Sequence, residues 1–468
     1  CVRTRWTVPL ELDRGEREVD SKWRTYYESK LRSAEEAVRE IREGDTVILG
    51  HCIAEPKALV DAMVANAQQY HDVEVRHMFS LGGGEYAAPQ FKGHLRANPF
   101  FVSANVRTSI AEGHGDFTPV FFHEVPKLIR EKRIRCDVLM TQVTPPDKNG
   151  YCSLGTSVDY TLQALHSART VIVQVNENLP WTMGNHVHVS EFDYIVEQTE
   201  PLYESAPPKI GEIETAIGRY CASLVEDGAT LQLGIGAIPD AVVRCLGDRK
   251  DLGIHSEMIS DGILDLCEKG VITGREKTLD KGEIVVTFLM GTRRLYDFVN
   301  HNPVVKVLPV DYVNNPLVIM QQRNMVSINA ALKVDLMGQV SAESIGLKQF
   351  SGVGGQVDFV RGVAMSENGK AIIAMPSLAR KKDGTTVSKI VPYLEEGEAV
   401  TTSRNDVDYI VTEYGIARMK GHSLKERAAN LIQIAHPDFR DALGQEYERR
   451  FHEPWCCGDG GKALELVR

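Results

Sequence analysis

A strand, loop and helix pattern that occurs twice places the strongest constraint on the fold. Residues 46–60 combine the short apolar strand Thr46–Leu49, which leads to Gly50, with a loop and a helix that opens at Pro56. Residues 226–243 repeat this order about 184 positions later, with Gly234 after the strand and a proline at the start of the helix. The repeat predicts two related α/β halves.

Further runs of apolar and β-branched residues extend this prediction to a parallel sheet in each half. Ser33 and Glu36 form a capping-box pattern, which predicts that a helix starts there. Two prolines in Glu204–Lys209 interrupt the pattern and place the boundary between the halves. The fold class is therefore α/β, with open sheets whose ligands gather outside the carboxyl ends of the strands. The runs read as strands are Val73–Met78, Asp137–Val143 and Thr170–Val175.

Composition excludes several classes of protein. The net charge of −11 over 468 residues argues against nucleic-acid binding. The apolar run Ile284–Met290 is far below the ~18 residues of a membrane span. Cys1–Asp20 has no apolar core of a secretory signal, and the missing initial Met indicates a processed, truncated or fragmentary chain. Nine scattered cysteines without a C-x-x-C spacing favour a reduced, cytoplasmic protein without a zinc site.

Two glycine-rich segments are candidates for binding an anion or a developing oxyanion. Gly234–Ile238 joins a strand to a helix, although a plain tight turn explains it as well and the third glycine of a dinucleotide fingerprint is missing. Ser351–Asp358 holds three glycines within four residues, which suit either a nest of backbone amides or a bulge or hairpin corner.

Glu257 is the sharpest candidate for chemistry. It lies among Ile254, Met258 and Ile259, so its carboxylate is expected at the end of a strand and partly desolvated. A surface glutamate in a loop is the alternative, and His255 is expected to be structural.

Two other polar clusters are weaker candidates for a functional site. Ala111–Asp116 carries ionisable groups without a known ligand spacing, so a loop is expected. Arg380–Asp383 has the charge to grip a phosphate, but a solvated turn is the commoner outcome.

Four segments together resemble the acetyl-CoA hydrolase/transferase family, and within it the 4-hydroxybutyrate CoA-transferases. The resemblance runs from about Trp23 to about Phe451. It gives domains at 22–205 and 206–451, with unmatched flanks at 1–21 and 452–468. The segments that carry it are Gln232–Asp240, Gly253–Gly262, Lys348–Phe359 and Val411–Gly415.

The resemblance implies two domains of the CoA-transferase (NagB/RpiA-like) type and a ping-pong exchange of CoA between an acyl-CoA and a carboxylate. Glu257 would be the nucleophile that becomes a glutamyl-CoA thioester. Coenzyme A would be a substrate, with no metal and no redox cofactor. The residues implied to bind CoA or stabilise the oxyanion are Gly234, Ile235, Gly236, Ala237, Ile238, Leu332, Gly354 and Gly355.

The partners implied are an acyl-CoA, such as acetyl-CoA or butyryl-CoA, and a short-chain carboxylate such as 4-hydroxybutyrate, with no nucleic acid and no membrane. A cytoplasmic homo-oligomer, dimeric or tetrameric, is expected. Three alternatives stay open: butyryl-CoA:acetate exchange, hydrolysis of acyl-CoA, and an inactive acyl-CoA-binding protein. Glu257 argues against the last, because a binding protein needs the glycine loops but not the carboxylate.

Overall fold

The computed structural model describes residues 22–381 and 383–455, and two large parallel sheets organise them. The first sheet has six strands, and every neighbouring pair is parallel. In spatial order they are Leu95–Ala97, Val73–Arg76, Thr46–Leu49, Val138–Val143, Thr170–Val175 and Tyr194–Glu197.

The second sheet has eight strands, and only its last pair is antiparallel. In spatial order they are Val305–Val307, Ile284–Val286, Gly253–His255, Thr230–Leu233, Met325–Ala330, Lys370–Ala374, Tyr409–Thr412 and Gly415–Arg418. The predicted α/β class with parallel sheets is confirmed.

The sequence repeat has a topological meaning in the structure. Thr46–Leu49 and Thr230–Leu233 are each the first strand of their sheet along the chain, and each lies inside it, between later strands. The strand order reverses at both, which makes them the switch points where such folds bind ligands. All strands of the first sheet lie within 22–205, and all strands of the second lie within 206–451. The domain limits themselves stay a prediction.

Side-chain alternation explains why the first sheet is covered on both faces. Ile48 and Leu139 enter one hydrophobic cluster, whereas Val47 and Val138 enter another. Because both faces are apolar, its strands read as continuous hydrophobic runs rather than as alternating ones. Thr170–Val175 is buried at all six positions.

The helices connect and cover these strands. The predicted capping box is present, with Ser33 and Glu36 each bonding the other's backbone amide. Residues 22–30 are helical as well. The α-helices of the first half are Ala34–Ala37, Lys57–Ala65, Arg107–Ala111, Val125–Arg130 and Thr161–Ser167. Those of the second are Glu212–Ser223, Ala237–Arg244, Leu264–Glu268, Arg293–Val299, Val310–Val313, Pro316–Ile319, Gln356–Met365, Leu424–Gln433 and Pro437–Phe451.

The two halves meet along the ends of their strands. Ser157 of the first half forms an isolated bridge with Phe288 of the second. The Val102 amide donates to the Ser351 carbonyl at 3.3 Å, and the Phe122 amide donates to the Gly354 carbonyl at 3.4 Å. The second glycine-rich segment therefore lies against the first half.

Some predictions concern what the chain lacks. Within 22–381 and 383–455, none of the helices combines the length and apolarity that a membrane span requires. The six cysteines in this part of the chain are free thiols, and the other three fall outside the described residues. Trp455, in the predicted C-terminal flank, packs over Gly444 of the last helix.

Candidate active site

Glu257 lies at the carboxyl end of the strand Gly253–His255, next to the switch-point strand. Its backbone carbonyl accepts hydrogen bonds from the amides of Thr287 at 3.0 Å and Phe288 at 3.2 Å. The neighbouring Met258 is buried. The backbone of Glu257 is thus fixed from the adjoining strand segment, and the predicted position at a strand end is confirmed.

Two donors hold the carboxylate of Glu257. The side-chain amide of Asn314 donates from Nδ2 to Oε2 at 2.7 Å. The backbone of Gly355, the N-cap of the helix Gln356–Met365, supplies a second hydrogen bond. A Cβ atom on Gly355 would lie 1.8 Å from Oε2, so only glycine allows this approach.

Burial raises the pKa of Glu257 to about 7. The charges of Asp358 and Asp159 act in the same direction, whereas the hydrogen bonds from Asn314 and Gly355 favour the ionised form. The carboxylate is therefore poised between its two protonation states near neutral pH, as suits a nucleophile or a general base.

The two aspartates are each held by a histidine. His123 of the first half donates to the buried Asp358 from its backbone amide at 3.1 Å and from Nδ1 at 2.7 Å. Burial acts to lower the pKa of His123, but the hydrogen bond and charge of Asp358 outweigh it and the pKa is raised. In the first half, His51 and Asp159 form a buried pair at 2.7 Å. His51 follows Gly50 in the first copy of the repeat, where the second copy has its glycine loop.

The predicted loop Gly234–Ile238 begins where the neighbouring strand ends. Ser256 Oγ accepts from the Leu233 amide and donates to the Leu233 carbonyl, both at 3.2 Å. Gly236 has φ +115° and caps the helix Ala237–Arg244, and no described residue comes within 4 Å of the position that a Cβ would take. Ile235 is 45% exposed. The loop shares the strand-end surface with Glu257.

The predicted residues are brought together to different degrees. Gly354 and Gly355 face the Glu257 carboxylate directly, and they enter a helix rather than a hairpin corner. Leu332 follows the strand Met325–Ala330 and bonds the Ser341 carbonyl through its amide at 2.9 Å. It lies at the carboxyl end of a strand in the same sheet, and no hydrogen bond joins it to Glu257 within the described part of the chain. The CoA-binding role of all these positions stays a prediction.

Three contributors to the site were missed from the sequence: Asn314, His51 with Asp159, and His123 with Asp358. Asn314 comes from a turn 57 residues from Glu257 in sequence, and His123 lies 235 residues from its partner. A lone Asn or His without a recognisable spacing gives no signal, although the conspicuous difference at His51 between the two repeat copies was visible.

The other polar clusters lie in turns. Residues 112–116 form a turn after the helix Arg107–Ala111, and Arg380 ends a strand whose hairpin partner is Thr386–Ser388. The described residues contain no group of three or more His, Cys, Asp or Glu side chains arranged to hold a metal ion.

Comparison with known proteins decides the family. Residues 11–204 match the model of the acetyl-CoA hydrolase/transferase N-terminal domain, and residues 291–447 match that of the C-terminal domain. The chain belongs to the acetyl-CoA hydrolase/transferase family. The first match includes part of the predicted N-terminal flank, and residues 205–290, which hold Glu257, lie between the two matches.

The relatives of the chain include several CoA-transferases. It is 56% identical to the 4-hydroxybutyrate coenzyme A transferase of Clostridium kluyveri over 92% of this chain and 100% of that one. It is 45% identical to the succinyl-CoA:cyclohexane-1-carboxylate CoA transferase of Geobacter metallireducens over 90% and 96%. The crystal structure of a 4-hydroxybutyrate CoA-transferase from Porphyromonas gingivalis superposes with a TM-score of 0.78 at 42% identity, covering 92% and 100%. The chain is a CoA-transferase.

Proposed function

We propose that this family member exchanges CoA between a short-chain acyl-CoA, acetyl-CoA or butyryl-CoA, and 4-hydroxybutyrate or a similar carboxylate, in a ping-pong reaction through Glu257. One observation carries the proposal. The Glu257 carboxylate lies where the strand ends of the two halves meet, with donors from Asn314 and Gly355 on it and a pKa of about 7. The choice of 4-hydroxybutyrate is supported by the 56% identity to the C. kluyveri enzyme.

The reaction proceeds in two symmetrical halves. A carboxylate oxygen of Glu257 attacks the thioester carbon, the C–S bond breaks, and CoA leaves as the thiolate with a mixed anhydride on Glu257. The thiolate then attacks Glu257 Cδ, and the acyl group leaves as its carboxylate. The incoming acid repeats these steps in reverse on the glutamyl-CoA thioester, so that the exchange consumes no water and no net proton.

The geometry suits the steps that occur on Glu257 itself. When the thiolate attacks Cδ, negative charge develops on a Glu257 oxygen. Oε2 already accepts a hydrogen bond from Asn314 Nδ2 at 2.7 Å. Preorganised donors of this kind are worth about 10²- to 10³-fold in rate. The open amides of Gly234–Ile238, with Leu332 beyond them, would receive the pantetheine arm.

A carboxylate nucleophile needs no metal or redox cofactor. The cytoplasmic location and the homo-oligomer stay predictions.

Trapping the covalent intermediate tests the proposal. The chain is incubated with acetyl-CoA without an acceptor acid, treated with borohydride or hydroxylamine, and digested for mass spectrometry. We expect the modification on Glu257 and its loss in Glu257→Gln. Asp408→Asn is a matched control. Asp408 is also a partly buried carboxyl group, and burial raises its pKa. It lies at the amino end of a strand in the same sheet, which is the end opposite to Glu257.

Two outcomes would contradict the proposal. Modification at another residue would assign the nucleophile elsewhere. Release of free thiol at the rate of wild-type turnover, without any trapped adduct and with water as the acceptor, would instead identify a hydrolase. Initial rates with 4-hydroxybutyrate, butyrate and acetate as acceptors rank the carboxylates.

A further inference from the structure

His255 closes a small ring of contacts behind the Glu257 carboxylate. Its Nε2 lies 2.8 Å from the carbonyl oxygen of Val313. The next residue in the chain, Asn314, donates to Glu257 Oε2 at 2.7 Å. Since Glu257 follows His255 by two positions, the ring consists of two hydrogen bonds and two short stretches of backbone.

The protonation of His255 follows from its surroundings. A carbonyl oxygen only accepts hydrogen bonds, so Nε2 carries the hydrogen. Burial lowers the pKa of His255 to about 4, and the charge of the buried Lys277 adds to this effect. The imidazole ring of His255 is therefore neutral at physiological pH. Within residues 22–381 and 383–455 the imidazole forms no ion pair with a carboxylate, and Tyr312 and Phe359 pack around it at ring-centroid distances of 6.3 Å.

His255 carries a cost to stability. Its Nδ1 atom is buried and has no hydrogen-bond partner among the described residues. A buried acceptor without a partner is destabilising, whereas an apolar side chain of similar size would fill the same space without that penalty. The Nε2 donor is the feature of histidine that an apolar residue lacks, so the bond to Val313 is the contact to explain.

We propose that His255 is a positioning residue: its Nε2 donor fixes the Val313 carbonyl and thereby keeps the Asn314 amide directed at the Glu257 carboxylate. The inference rests on the proposed role of Glu257. It assigns a task in the site to a histidine that takes no part in proton transfer. It also explains how a turn between two short helices, Val310–Val313 and Pro316–Ile319, holds Asn314 steady.

Three variants separate this role from a merely structural one. His255→Leu removes the donor, and we expect kcat to fall about 10- to 100-fold, since a reacting group displaced by about 1 Å loses that much. His255→Gln places an amide nitrogen near the position of Nε2, and we expect most of the activity to return. Asn314→Ala removes the contact on which His255 is proposed to act.

The pH profile gives an independent readout. The groups that set the ionisation of Glu257 are the donors Asn314 and Gly355 and the acids Asp358 and Asp159, each acid paired with a histidine. If Asn314 drifts away, the ionised form of Glu257 loses a donor. The acid limb of the kcat/KM profile should therefore move to higher pH in His255→Leu and stay in place in His255→Gln.

A double-mutant cycle decides the matter. We expect His255→Leu to lower kcat by less than about twofold in the Asn314→Ala background, because the contact through which it acts is already absent. Thr230→Val, which removes a buried, unpartnered hydroxyl on the same sheet, should leave kcat unchanged. The inference would be overturned if the kcat losses of His255→Leu and Asn314→Ala multiply in the double variant. It would also be overturned if His255→Leu keeps the wild-type rate and pH profile. An active Glu257→Gln would instead overturn the proposed function.

Discussion

Replacing Gly355 by alanine perturbs the site with one added methyl group. The new Cβ would lie 1.8 Å from Glu257 Oε2 and 2.2 Å from Asn314 Nδ2, where an ordinary contact begins at about 3.4 Å. The carboxylate must therefore shift by about 1.6 Å. The amide of Asn314 is obstructed as well, so the carboxylate cannot move while keeping that hydrogen bond.

The size of the effect follows from this displacement. A misplacement of about 1 Å in a positioned reaction costs ~10²-fold, and loss of one oxyanion donor costs about 10²- to 10³-fold. We expect kcat for CoA exchange to fall at least ~10²-fold in Gly355→Ala. The melting temperature should fall as well, because the buried Asn314 must shift together with the Glu257 side chain.

The assay compares initial rates of CoA exchange and melting curves with those of a matched variant. Gly247→Ala adds the same methyl group where no atom of the described residues lies within 4 Å, and it should behave as the wild type. A Gly355→Ala enzyme with near-normal kcat would refute the reasoning, since it would show that catalysis does not depend on the contact between this backbone and Glu257.

Three further predictions follow from the same structure. Because Glu257 must be ionised to attack and burial raises its pKa to about 7, kcat/KM for acyl-CoA should fall about tenfold per pH unit below 7 and level off above it; a flat profile from pH 5.5 to 8.5 would contradict this. Glu257→Asp withdraws the carboxylate by one methylene, so CoA exchange should fall much more than thiol release without an acceptor; equal losses would show that no water takes the vacated space. Burial lowers the pKa of Lys277 to about 8, below its unfolded value of ~10.4, so the unfolded chain binds more protons between these values and stability should rise with pH there; Lys277→Met should lose that slope in melting curves from pH 8 to 10.5.

The parts of the fold that sequence reasoning reached are those governed by local patterns. Thr46–Leu49 and Thr170–Val175 occur with the predicted bounds, because continuous β-branched runs between turn signals have few alternatives. The repeat located both switch-point strands. Glu257 was found through its apolar neighbours, which report local burial.

The contacts that set the reactivity of Glu257 were beyond such patterns. Asn314 and the paired Asp358 and His123 reach the site only when distant segments pack together, and no periodicity records that packing. The value of the pKa depends on them. Sequence therefore located the carboxylate, whereas the folded chain determines how it titrates.

The meeting of the two halves at Glu257 has a consequence for the order of events during synthesis. Gly355 leaves the ribosome 98 residues after Glu257, which takes about 5 to 20 s at ~5–20 residues per second. Throughout that interval the donor that requires Gly355 and the burial supplied by the segment around it do not exist, and the glutamate is an ordinary hydrated carboxylate. In the proposed mechanism, a nascent chain therefore carries its nucleophile before the contacts that tune it exist, so we expect no thioester chemistry from unfinished protein.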